Sequence, residues 1–166
     1  MTLHFVSGNS LDKAPPFRNY AILMDQKNEG TDAGTFTANQ WQVRDLNTEY
    51  YDPDGIVTLS NNIFVLTAGN YYLRFSAPAY RVNRHKAVLF RESGTQTIFA
   101  LGSSERSSST DATSNRSVGI WRGTISGTVN LQIRHRGATT ISNNGLGLYQ
   151  GNGTETYTIV EIFKEY

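Results

Sequence analysis

The strongest constraint on the fold comes from residues 69–90, which read GNYYLRFSAPAYRVNRHKAVLF. After the Gly69-Asn70 turn signal the side chains alternate between two sets: Tyr71, Leu73, Phe75 and Ala77 on one face, and Tyr72, Arg74 and Ser76 on the other. This period of two is the pattern of a β-strand with one buried face. We expect Pro78 to end the pairing of this strand, because proline has no N–H to donate. A second strand is predicted at 87–90.

Length and composition predict a single domain without covalent cross-links. The chain has 166 residues and no cysteine, which excludes disulfides and thiolate metal sites. The first residues, MTLHFVSGNS, lack the basic start and apolar run of a signal peptide. No stretch approaches the 18 apolar residues or so of a membrane-spanning helix, so we expect no membrane insertion.

The charge of the chain is small overall but unevenly distributed. The net charge is +1 and the sequence pI is about 8.0, whereas nucleic-acid-binding domains usually have a pI above about 9. We therefore expect no nucleic-acid partner. Residues 1–60 carry four basic and eight acidic side chains, and residues 61–166 carry eleven basic and six acidic ones. Such asymmetry suits either a polyanion-facing surface or the alignment of neighbouring subunits.

The remainder of the chain also has the pattern of short strands separated by polar turns. Further strands are predicted at 19–26, 41–50, 56–59, 63–66, 97–101, 118–125, 128–136, 146–148 and 154–166. The sequence of 102–117, GSSERSSSTDATSNRS, predicts a polar loop. No window shows helical periodicity. The sequence therefore predicts an all-β, antiparallel jelly-roll or Greek-key β-sandwich over residues 19–166.

Residues 1–18 predict an extended N-terminal arm, because Asp12, Lys13 and the Pro15-Pro16 pair interrupt any regular element. Such an arm is either a loose terminus or a docking segment that lies on another protein. In the second case its apolar anchors would be Leu3, Phe5, Leu11 and Phe17.

The last predicted strand, 154–166, is apolar on both faces. Tyr157, Ile159 and Phe163 alternate with Val160, Ile162 and Tyr166. A strand in an isolated sandwich is expected to have one solvated face. The second apolar face is thus predicted to be covered by another subunit, or else by a loop or the arm. The first alternative gives a predicted interface of Tyr72, Val160, Ile162 and Tyr166.

No catalytic constellation is recognisable in the sequence. Asp52, Asp54 and Glu49 offer oxygen atoms, but without the regular spacing of a calcium loop, so we interpret this segment as a turn. The three histidines are too scattered to indicate zinc. We expect no enzyme activity, no metal and no cofactor.

A cluster of cations is the strongest candidate for contact with a ligand or partner. It would comprise Arg81, Arg84, His85, Lys86, Arg134 and Arg136. These side chains could bind a carboxylate of another protein or an anionic glycan. Alternatively, they form a solvated corner or pair with acidic residues across subunits.

Residues 46–75 resemble the tumour-necrosis-factor-like jelly roll, the group that includes the globular heads of complement component one. The matching positions are Tyr51, Asp52, Pro53, Gly55, Phe64, Gly69 and Tyr71. The resemblance implies a jelly-roll fold.

Three motifs are also similar to modules of tailed-bacteriophage virion proteins. They are W-x-x-R-D-L-N-T-E at 41–49, F-x-L-x-A-G-x-Y at 64–71 and A-P-A-Y-R-V-N-R-H at 77–85. Members are generally homotrimers displayed on fibres, spikes or capsids. The resemblance implies a homotrimer on the virion surface, made in the host cytoplasm and in contact with other capsid or tail proteins.

These expectations rank the function classes. A non-enzymatic capsid decoration protein comes first, because only about 18 residues precede the predicted domain, whereas fibre proteins usually carry this module after a long shaft. A receptor-binding tail-fibre or spike tip that recognises host glycan comes second. A lectin-like module outside any virion is third, and an enzyme is last.

Overall fold

Twelve β-strands in two antiparallel sheets form the regular structure of residues 17–165, the part of the chain that the computed structural model describes. The strands are β1 (Phe17–Lys27), β2 (Gln42–Val43), β3 (Thr48–Tyr51), β4 (Thr58–Ser60), β5 (Ile63–Leu66), β6 (Gly69–Tyr80), β7 (Asn83–Arg91), β8 (Thr97–Leu101), β9 (Glu105–Ser107), β10 (Ser114–Ile125), β11 (Val129–Gly137) and β12 (Glu155–Glu165). No helix within these residues could cross a membrane.

The two sheets pack face to face around one main core. The five-stranded sheet has the order β10-β6-β12-β1-β3. The seven-stranded sheet has the order β4-β5-β11-β7-β8, with β2 beside β11 and β9 beside β7. Fully buried core side chains come from both sheets and include Leu23, Phe64, Leu73, Phe75, Leu89, Leu131, Ile133 and Ile162. The predicted all-β jelly-roll sandwich is therefore confirmed at the level of its architecture.

The expectation that Pro78 ends a strand is wrong, because β6 continues through it to Tyr80. Pro78 pairs with Arg116 of β10, but its carbonyl accepts a hydrogen bond from Arg44 Nη1 at 3.3 Å. The N and C=O of one residue in an antiparallel strand point to the same side, so the proline nitrogen also faces away from β10. The pairing of β12 with β6 ends at Ser76, and the ladder therefore needs no N–H from Pro78.

The predicted interface role of Val160 and Ile162 is also wrong. Both side chains are fully buried by their own chain. Val160 lies opposite Phe75 and Leu23, and Ile162 lies opposite Leu73 and Ala21, all of which belong to the core between the sheets. The apolar residues of β12 that face outward are Ile159 and Phe163 instead. Tyr72 lies on the same outer face, opposite Phe163, and Tyr166 is outside the described residues.

Three segments differ from their predicted form. Residues 102–117 contain β9 and the beginning of β10, and 41–50 divides into β2 and β3. Residues 146–148 are not a strand: the Leu146 N–H donates to the Gly34 carbonyl at 3.0 Å in a loop that caps one end of the sandwich. At the N-terminus, β1 begins at Phe17, which pairs with Glu165. The other predicted arm anchors, Leu3, Phe5 and Leu11, lie outside the described residues.

One buried cation connects this capping loop to the five-stranded sheet. The Arg44 side chain is fully buried and donates from Nε to Thr158 Oγ1 at 3.0 Å and from Nη2 to the Leu146 carbonyl at 2.7 Å. Burial lowers the pKa of Arg44 to about 10, with a smaller opposing effect from Asp25, so the guanidinium stays charged at neutral pH. Its donors are satisfied by neutral oxygens, which keeps a buried charge tolerable.

Gly119 of β10 provides a direct test of how the Phe75 ring of the adjacent strand packs in the core. A Cβ at this position would lie 2.1 Å from the Phe75 ring, whereas a Cβ at Gly127 would meet no atom within 4 Å. Gly119→Ala is therefore expected to reduce the free energy of unfolding by about 1–3 kcal/mol, the usual effect of overpacking. Gly127→Ala should change it by less than about 0.5 kcal/mol. Chemical denaturation of both variants measures the difference, and equal stabilities would contradict the packing described.

Candidate functional site

A cleft of about 610 Å³ opens on the seven-stranded sheet, where β7, β9 and β11 lie side by side. Its walls combine four cationic side chains, one carboxylate and one tryptophan with small and polar residues. The lining residues are Asn39, Trp41, Arg84, His85, Lys86, Ser104, Glu105, Arg106, Arg136, Gly137 and Ala138.

The alternation of β7 decides which of its side chains reach this cleft. The chain enters β7 through a tight turn in which Arg81 and Asn83 both have positive φ, of 59° and 63°. From there Arg84 is exposed, His85 is buried and Lys86 is half-buried. A strand places successive side chains on opposite faces, so β7 presents two cations to solvent and one imidazole to the interior.

The pairing register of β7 with its neighbours places a further cation opposite Arg84 and another opposite Lys86. Arg84 lies directly opposite Arg106 of β9, and Lys86 lies directly opposite Arg136 of β11. The cleft thus contains two cross-strand pairs of like charge, and Glu105 is its single acidic lining residue.

Behind the cleft, two histidines form a buried hydrogen-bonded pair. His85 Nδ1 lies 3.0 Å from His135 Nε2, and His85 Nε2 lies 2.7 Å from Asn115 Oδ1. Asn115 Nδ2 donates to the Arg106 carbonyl at 3.1 Å, which leaves Oδ1 as the acceptor. We therefore assign the proton of His85 to Nε2, and His135 Nε2–H donates to the bare Nδ1 of His85.

Both histidines are held in the neutral form. Burial lowers the pKa of His85, against weaker opposing effects of Asn115 and Glu105. Burial lowers the pKa of His135 further, and the nearby Arg44 charge adds to this effect. His135 Nδ1 is buried and has no hydrogen-bond partner among the described residues. A proton added to this pair would be a poorly solvated charge.

The structure brings together four of the six cluster residues predicted from sequence: Arg84, His85, Lys86 and Arg136 line the cleft. The other two have partners elsewhere. Arg81 Nη2 donates to the Ser109 carbonyl at 3.2 Å. Arg134 Nη2 lies 2.6 Å from the Glu92 carboxylate, and its guanidinium lies 3.7 Å from the centre of the Phe90 ring.

Sequence reasoning missed three charged or aromatic members of the cleft, Glu105, Arg106 and Trp41. Arg106 lies in the segment that the sequence predicts as a polar loop, and β9 places it beside β7. Trp41 immediately precedes β2, whose Gln42 pairs with His135 of β11. The sequence signal that could have indicated Trp41 is its position directly before a short strand.

The acidic turn at 52–55 has a structural role in the described residues. The Asp52 carboxylate accepts hydrogen bonds from the backbone N–H of Ile56 at 2.9 Å and of Val57 at 3.0 Å, so both oxygens are engaged in closing the turn. Within residues 17–165, no three His, Asp or Glu side chains are placed to hold a metal ion together.

The neutral histidine pair predicts a pH-dependent stability. An unfolded histidine has a pKa of about 6.5, so below that pH the unfolded chain binds protons that the folded chain does not. The free energy of unfolding should fall as the pH decreases from 7 to 5, by up to about 1.4 kcal/mol per pH unit for each histidine. His135→Gln keeps an N–H donor for His85 and should flatten this slope. Chemical denaturation across this pH range measures it, and identical slopes for both proteins would contradict a neutral His135.

Comparison with known proteins identifies the fold but no family. No protein-family model matches the sequence, and no curated protein matches it. Among solved structures, murine APRIL is similar with a TM-score of 0.54 at 10% identity, over 87% of this chain and 98% of that one. Eiger TNF from S. frugiperda has a TM-score of 0.56 at 13% identity, over 90% and 94% of the two chains.

The globular domain of zebrafish complement 1qA is similar to a comparable extent. Its TM-score is 0.52 at 18% identity, over 89% of this chain and 97% of that one. At such identities the likeness concerns the fold alone. It covers nearly the whole of each chain, and the described part of this protein is a tumour-necrosis-factor-like jelly roll.

Proposed function

We propose that this protein is a non-enzymatic structural protein of a tailed-bacteriophage virion, a homotrimeric surface knob that decorates the capsid. The observation that carries the assembly part is the apolar outer face of the five-stranded sheet. The virion location is supported by the three sequence motifs at 41–49, 64–71 and 77–85.

The outer face of the five-stranded sheet is rich in aromatic and aliphatic side chains. Cross-strand pairing aligns Tyr72, Phe163 and Tyr20 in one row. The ring centres of Tyr20 and Phe163 are 4.5 Å apart, and those of Tyr72 and Phe163 are 5.7 Å apart. Beside this row, Tyr51 is 48% exposed and Ile120 is 56% exposed. An apolar sheet face of this kind is typical of a surface that another protein covers.

A second and third copy of the chain are the occupants that fit this face. Two cations on the face are neutralised within the chain: Arg74 pairs with Glu161 at 3.3 Å, and Arg122 makes a two-pronged pair with Glu165 at 2.8 and 3.0 Å. A third, Arg116, is half-buried and donates to Ser76 Oγ and to the Tyr157 carbonyl. Closing the face against identical copies would therefore leave none of these three cations without a partner in its own chain. The resemblance to virion modules implies three copies. In a closed ring with rotational symmetry, the apolar face of every copy is covered by a neighbouring copy.

A receptor-binding tip that recognises host glycan is the second candidate, and the cleft is the observation that favours it. The cleft lies on the seven-stranded sheet, and a trimer closed through the five-stranded sheet would leave it accessible. Three such clefts on one particle-bound knob would multiply individually weak contacts with a cell surface.

The trimer is tested by substituting one exposed isoleucine on each sheet. Wild-type protein should have three times the 18.5 kDa mass of one chain in multi-angle light scattering. Ile120→Glu places a charge on the proposed interface and should give monomers. Ile98→Glu, at a position 41% exposed on β8 of the other sheet, should leave the trimer intact. A wild-type mass of one chain, or equal behaviour of the two variants, would refute the proposed interface.

The virion location is tested by adding the purified protein to phage particles that lack it. Deletion of residues 1–16, which precede β1, should abolish co-sedimentation of the protein with bare particles while the trimer persists. Ile98→Glu serves as the full-length control. A receptor-binding tip predicts instead that the isolated trimer adsorbs to host cells and blocks infection. Absence of binding by the full-length trimer to the particles would overturn the decoration role.

A further inference from the structure

The two like-charge pairs in the cleft are a cost that folding alone does not explain. Like charges directly opposite each other on a sheet are destabilising. Arg84 faces Arg106 and Lys86 faces Arg136, and none of the four forms an ion pair with any described acidic residue. The site therefore has the charge pattern of a surface that receives an anion.

A neighbouring cation shows that the same sheet neutralises charge where no ligand is required. Arg134, two residues before Arg136 on β11, is paired with Glu92 and also lies against the Phe90 ring. Arg91, at the other end of β7, donates to the Ser93 carbonyl. Four cations without an acidic partner in the described part of the chain are thus gathered in the cleft. Glu105 contributes the one carboxylate there, so the cleft keeps an excess of positive charge.

We propose that this cleft binds an acidic polysaccharide, with Arg84, Lys86, Arg106 and Arg136 holding its carboxylate or sulfate groups and Trp41 lying against a sugar ring. Guanidinium groups bind such oxyanions in a two-pronged geometry. Trp41 is 38% exposed within the lining, and Asn39 and Ser104 supply polar groups for hydroxyls. A volume of about 610 Å³ lies in the usual range of ligand sites.

The tryptophan favours a saccharide over an acidic peptide. An acidic protein segment would need only the cations, whereas the flat indole offers an apolar surface that matches the C–H face of a pyranose ring. The inference concerns the ligand class of the cleft, and all the residues that it uses lie on or beside the seven-stranded sheet. It does not require the proposed trimer or the virion location, because the proposed assembly face lies on the other sheet.

The test is isothermal titration calorimetry of the full-length protein at low ionic strength, where surface charges are least screened. The probes are hyaluronan octasaccharide, which carries carboxylates, dextran sulfate oligomers, neutral dextran oligomers and poly-L-glutamate. One or both acidic saccharides should bind, and which of them binds distinguishes carboxylate from sulfate. Neutral dextran should not bind.

Matched variants locate the binding. Arg84→Gln combined with Arg136→Gln should weaken saccharide binding by about tenfold or more, and Trp41→Ala by about fivefold. The control combines Arg91→Gln with Arg134→Gln, which removes two cations of the same sheet outside the cleft, and should stay within about twofold of wild type. Equal loss in the control would mean diffuse attraction and overturn the proposal.

Two further readouts separate a binding site from a merely structural cluster. Arg84→Gln relieves a like-charge pair, so it should raise the melting temperature while it weakens binding. Poly-L-glutamate binding that equals saccharide binding and ignores Trp41→Ala would overturn the proposal in favour of an acidic protein partner. Light scattering on the same samples reports the trimer, so failure of the cleft and failure of the assembly are observed separately.

Discussion

Each strand of a two-sheet sandwich can bury only one face between the sheets, and its paired neighbours decide which face that is. β12 shows this constraint directly. Val160 and Ile162 face the interior because Phe75, Leu73 and Leu23 flank them on β6 and β1. Their burial forces the alternate residues outward, where Phe163 joins a row of aromatic rings. The apolar outer face is therefore a consequence of the core register.

The sequence alone identifies most of the strands because alternation is a local property. β8 occupies the predicted residues 97–101, and β5 occupies the predicted 63–66. Alternation groups residues by face, but it does not show which group faces the core. That explains why the sequence shows two apolar faces on β12 without showing that Val160 and Ile162 belong to the core. Pro78 was misjudged for a related reason, since its effect depends on which neighbour its nitrogen faces.

The candidate site was only partly predictable because its members come together through pairings distant in sequence. Arg84 and Lys86 belong to one alternating strand and were found. Arg106 reaches the site only because β9 pairs with β7, and no local pattern in the serine-rich segment indicates that register. Arg134 and Arg136 are both outward cations of β11, yet Glu92 neutralises only Arg134. Partner identity, which decides whether a cation is available, is a tertiary property.

The outer face of the five-stranded sheet and the cleft on the seven-stranded sheet differ in how their charges are compensated, although both rest on the same core. On the five-stranded sheet Arg74 and Arg122 are paired with carboxylates, and Arg116 donates to neutral oxygens of the same chain, so that face can be buried. In the cleft of the seven-stranded sheet four cations have no acidic partner among the described residues, which favours exposure and costs stability. Ala87, Leu89 and the neutral His85 lie on the buried face of the same strand that carries Arg84 and Lys86. The interior packing of β7 and its backbone pairing with β9 and β11 thus offset the repulsion among its outward cations.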